Sequence, residues 1–166
     1  MIQRAQSVYL GLAFICMVLL LVFPVFSVEM ASINGDVQLS ALFGKDGVVG
    51  DGFESGTLPL SYIYISLALL SFAGILMYKK RPRQLLICRL NFVLHIILVL
   101  GIYAFYYFGK SFIKEGIEIT TGSEVNVTFY MEMGFFLLIP TVAFIYLAIR
   151  GIKRDQNLVN SLDRLR

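Results

Sequence analysis

The sequence predicts an all-α membrane protein: a four-transmembrane-helix bundle with a small extracytoplasmic β-containing cap and a C-terminal amphipathic helix. Three observations predict it. Four apolar runs, at residues 7–26, 61–78, 85–108 and 129–149, are each near the length that crosses a hydrocarbon core of about 30 Å as a helix. Hydrophobic residues make up 58% of the chain and charged residues only 15%, against about 25% charged in soluble domains. The charges also divide by side. With 166 residues and four spans, the chain forms one membrane domain over 1–166, with no room for a soluble enzyme domain.

The charge division sets an orientation. On one side lie Arg4, then Lys79, Lys80, Arg81, Arg83 and Arg89, then Arg150, Lys153, Arg154, Arg164 and Arg166, with only Asp155 and Asp163 as acids. The other side holds Lys45, Lys110 and Lys114 against nine acids. Basic loops resist translocation, so both termini are expected in the cytoplasm of a bacterial inner membrane. This topology accounts for the net charge of +3 without a nucleic-acid partner. The expected partners are the lipid bilayer and other integral membrane proteins.

Each element follows from local signals. The first apolar run is longer than the 7–15 residues of a signal-peptide core, so it reads as a transmembrane helix, with Pro24 a candidate kink. The outer loop 27–60 is glycine-rich; residues 36–43 suit a strand and 44–56 a mobile loop. Between the second and third spans, Pro82 disfavours helical geometry at Arg81, so the chain breaks there and the third helix starts soon after. In the outer loop 109–128, Ile117 and Ile119, then Val125, Val127 and Phe129, alternate on either side of Thr121-Gly122-Ser123-Glu124. That pattern predicts a hairpin capping the helix ends. The fourth span carries Pro140, and within the cytoplasmic tail 150–166 the stretch 152–166 reads as an amphipathic helix with Leu158, Val159, Leu162 and Leu165 on one face.

Chemistry inside a bilayer is sought first at polar residues, because they are costly there. Cys88, Asn91 and His95 stand at i, i+3 and i+7 and share one face of the third helix. Hydrogen bonding to neighbouring helices is the expected role of Asn91 and His95. The alternative is proton relay through His95, the only histidine. No acid lies centrally in a span to complete a relay, and one imidazole cannot hold a metal. Cys16 and Cys88 are expected to be apolar filler. Arg89 can snorkel, bind an anionic lipid or meet a partner's carboxylate. Glu132 is expected to reach water, Lys110 or Lys114. No phosphate loop, zinc motif or nucleophile elbow is present, so no catalytic residue, cofactor or metal is assigned.

Met1-Ile2-Gln3-Arg4-Ala5-Gln6-Ser7, Arg83-Gln84 with Cys88-Arg89-Leu90-Asn91, and Lys153-Arg154-Asp155 with Asn160-Ser161-Leu162-Asp163-Arg164 together resemble a family of small four-span membrane proteins from Bacteroidota, itself a domain of unknown function. The resemblance implies architecture and inner-membrane location but no activity. It marks Gln3, Arg4, Gln6, Arg89, Asn91, Asp163 and Arg164 as motif positions. Apart from Asn91, these are the candidate contacts for a partner or lipid. The expected function is a non-enzymatic accessory or scaffold subunit of a larger inner-membrane complex. The alternative is a small transporter or proton-conducting homo-oligomer that uses the Asn91/His95 face.

Overall fold

The computed structural model describes residues 2–32, 38–44, 47–50, 60–121 and 125–164. Helix α1 (Ile2–Leu19) ends earlier than the apolar run suggests. Residues 20–23 form a turn before Pro24, whose missing N–H and ring cannot continue the helical ladder. Pro24 therefore ends the segment and does not kink it. Phe26, expected to close the first span, instead opens strand β1 (Phe26–Ser32).

Strands β2 (Gln38–Gly44) and β3 (Gly47–Gly50) follow, so the expected strand at 36–43 is present within two residues. Part of the expected mobile loop, by contrast, is strand; its residues 45–46 and 51–56 lie outside the described residues. Helix α2 (Leu60–Leu76) passes through a 3-10 turn (Met77–Lys79) into α3 (Arg81–Thr121). The break falls at Lys80, with φ −110° and ψ 70°, one residue before the position expected.

Helix α3 has 41 residues, roughly 60 Å at 1.5 Å per residue, about twice a hydrocarbon core. It contains Ile117 and Ile119, which overturns the expected hairpin. The turn residues 122–124 lie outside the described residues. Only the second half of that pattern is a strand, β4 (Val125–Met131), and it pairs with β1. Helix α4 (Met133–Arg164) then runs 32 residues through Pro140, so the tail continues the fourth helix and is not a separate one.

The sheet has the order β3-β2-β1-β4 and every pairing is antiparallel. Val28 lies opposite Ala41 on one side and Phe129 on the other. The segments that follow α1 and α3 are thus joined into one sheet at one end of the helices. Phe26 is its buried hub, with ring centroids 5.9 Å from Phe43, 5.4 Å from Tyr106 and 5.8 Å from Phe135. The Ser27 hydroxyl donates to Glu132 Oε1 at 2.8 Å.

The fold is mostly helical with one small sheet. Helix α1 packs most extensively on α4 and then on α2, while α3 packs on α4 and α2. Three segments, Leu60–Lys79, Arg81–Ser111 and Met133–Val159, are long and apolar enough to cross a membrane. The apolar part of α1, Ala5–Leu19, is shorter. Large apolar side chains such as Leu69, Ile97 and Ile139 point outward from these helices, as lipid-facing residues do.

Candidate functional site

Among the described residues, polar side chains are buried at several levels of the helical bundle. At the basic end, Gln6 and Asp155 are both buried, and Gln6 Nε2 donates to Asp155 Oδ2 at 2.6 Å. Gly151 makes room for this contact, since a Cβ there would come within 2.9 Å of Gln6 Cγ. Arg81 Nη1 donates to the Asp155 carbonyl oxygen at 3.4 Å. Gln6 therefore faces its own chain. The side chains of Gln3, Arg4, Asp163 and Arg164 lie outside the described residues. Arg89 is exposed.

One level deeper, Gln84 Nε2 donates to the Gly74 carbonyl oxygen at 3.0 Å and joins α3 to α2. Further along the first half of α3, Cys88, Asn91 and His95 all face inward, as their spacing predicts, and each is at most 1% exposed. Asn91 Nδ2 donates to Ser71 Oγ at 2.8 Å, and Ser71 in turn donates to the Leu67 carbonyl. His95 Nδ1 lies 3.0 Å from the Asn91 carbonyl oxygen. A carbonyl can only accept, so Nδ1 carries the proton in this arrangement and Nε2 keeps a lone pair. Among the described residues, three fully buried side-chain polar atoms have no hydrogen-bond partner: Tyr64 Oη, Asn91 Oδ1 and His95 Nε2. Sequence reasoning missed Ser71 and Tyr64. Their only signal was an i, i+7 pair of hydroxyls inside the second apolar run.

This interior can hold helices in register. Among the described residues, no group of three or more His, Cys, Asp or Glu side chains comes together. Cys16 and Cys88 are both free thiols.

Two surfaces remain. Between α2 and α3, beneath the sheet, an apolar groove of about 570 Å³ is lined by Leu67, Leu98 and Gly101 and reaches the stacked Phe43 and Phe105 rings, 4.5 Å apart. At the sheet, β4 is an edge strand: it pairs with β1 and has no second strand partner among the described residues. Val127 is buried, whereas Asn126, Thr128 and Tyr130 point outward.

Residues 2–165 match a family model, described as Domain of unknown function (DUF4293). No curated protein matches the chain.

Proposed function

The chain belongs to that family of unknown function, so its role has to be read from its own geometry, and we propose a non-enzymatic accessory or scaffold subunit of a larger inner-membrane complex. In this reading the chain crosses the membrane four times, with both termini in the cytoplasm and the sheet outside. The segregation of basic residues to the end away from the sheet supports that orientation.

One observation carries the reading. Strand β4, Val-Asn-Val-Thr-Phe-Tyr-Met, is a seven-residue edge strand with no charge and no proline, and among the described residues its outer edge has no strand partner. Natural proteins commonly guard such edges with lysine, proline or bulges, because an open edge is a template for another strand. An unguarded edge suits a partner that adds a strand, with backbone hydrogen bonds giving affinity and alternate side chains giving specificity. The test is mild-detergent purification of the tagged protein at native level, followed by mass spectrometry and native-gel sizing. A stoichiometric partner that is lost from Asn126→Lys/Thr128→Lys supports the reading. Recovery of the protein alone, or a partner indifferent to that variant, ends it.

The unpartnered Tyr64, Asn91 and His95 atoms favour one second reading, passage of protons or a small ion as an oligomeric transporter. All three are buried within one chain, so the path would run through each bundle. Flux in proteoliposomes that His95→Ala abolishes would support it. Wild-type protein without flux would remove it.

A further inference from the structure

We infer that the outward face of α4 at the basic end, formed by Arg150, Lys153, Arg154 and Asn157, is a binding site for the phosphate of an anionic lipid headgroup. These residues stand at i, i+3, i+4 and i+7, so they share one side of the helix over two turns. With Leu158 at the rim they line an open crevice of about 530 Å³. The three cationic side chains are exposed.

Among the described residues, these cations have no counter-ion. Asp155 lies next to Arg154 in sequence but on the opposite face, buried against α1, where its carboxylate accepts from Gln6 and its carbonyl from Arg81. Among the described residues, no acidic side chain pairs with Arg150, Lys153 or Arg154. Like charges one turn apart repel, and an anion seated between them relieves that repulsion.

Depth identifies the anion as a lipid's. Arg150 follows Met133, the first residue of α4, by about 26 Å of helix, close to the roughly 30 Å of a hydrocarbon core. On the same face, one and three turns towards the sheet, Tyr146 and Ile139 are exposed by 53% and 57%. A lipid phosphate held at Arg150 and Arg154 would place its chains along Ile139 and Tyr146. A free phosphate would leave that apolar stripe uncovered. Arginine suits the task because its planar fork holds two phosphate oxygens at once.

The test titrates the full-length protein in mild detergent with phosphatidylglycerol, phosphatidylcholine and glycerol phosphate, reading bound lipid by native mass spectrometry and thermal stabilisation. Phosphatidylglycerol should bind in preference to the other two. Arg150→Gln/Lys153→Gln/Arg154→Gln should weaken it on the order of 100-fold, because the charge-assisted contacts to the phosphate are lost. Lys79→Gln/Lys80→Gln/Arg83→Gln removes the same charge from the same end and should leave binding within about twofold. These side chains are exposed, so both variants should fold. Equal loss in both triple variants would show diffuse attraction to the surface and overturn the site. So would unchanged binding in the first variant. Glycerol phosphate binding as tightly as the lipid would overturn the lipid as ligand.

Discussion

Gln6 and Asp155, 149 residues apart in sequence, form a buried hydrogen bond of 2.6 Å that fastens the start of α1 to the basic end of α4. A carboxylate held by a neutral amide depends strongly on that amide. Hydrogen bonds to charged groups are worth about 1.5–3 kcal/mol, and removing one partner leaves the charge uncompensated. Gln6→Leu should therefore lower stability by about 2–3 kcal/mol in thermal unfolding in detergent. Gln6→Leu/Asp155→Leu should be more stable than Gln6→Leu alone, because no buried charge is stranded.

The same substitution at two glycines should have opposite consequences. A Cβ at Gly134 would collide with the carbonyl oxygens of Phe23 and Pro24, and the Gly134 N–H already donates to the Pro24 oxygen at 2.9 Å. A Cβ at Gly101 meets nothing within 4 Å. Gly134→Ala should destabilise by about 1–3 kcal/mol through backbone displacement. Gly101→Ala should be neutral or stabilising by up to about 1 kcal/mol, since alanine is the better helix former. Melting temperatures of the two variants check this directly.

Phe26 ties the sheet to the helices through rings on β2, α3 and α4. Phe26→Ala should cost about 3–5 kcal/mol. Phe108→Ala, at a residue 65% exposed, should change stability far less. Protease sensitivity of the sheet end should rise only in the first variant.

The Ser71–Asn91 hydrogen bond joins α2 to α3 inside the bundle. A double-mutant cycle with Ser71→Ala and Asn91→Leu should return a coupling of about 0.6–1.7 kcal/mol, the range found for such bonds in membranes. A coupling near zero would show that the remaining orphan atoms, and not this bond, set the local energetics.

Much of this was legible in the residues. The inward face of Cys88, Asn91 and His95 follows from helical spacing alone, and the break before α3 follows from Pro82. The hairpin reading failed because Ile117 and Ile119 are too few to establish a period of two. The same stretch also reads at helical spacing, with Ile113 and Ile117, and Lys114 and Glu118, four apart. Gln6 gave no sign of its burial, for a different reason. Its partner lies at the far end of the chain, and a buried amide leaves no local mark that separates it from an exposed one. The pairing of β4 with β1 is equally non-local, although Val127 and Phe129 showed which face would turn inward.

Because α1 packs chiefly on α4, the first helix made is completed by the last. During synthesis, the inward side of α1 must wait through α2 and the 41 residues of α3 before its main neighbour emerges. Strand β1 waits likewise for β4. A nascent chain halted after α3 would expose an unpaired strand at one end and an unsatisfied Gln6 at the other. Such an intermediate is a natural target for membrane chaperones and quality-control proteases, so abundance in the cell should depend on how quickly the final 32-residue helix is inserted.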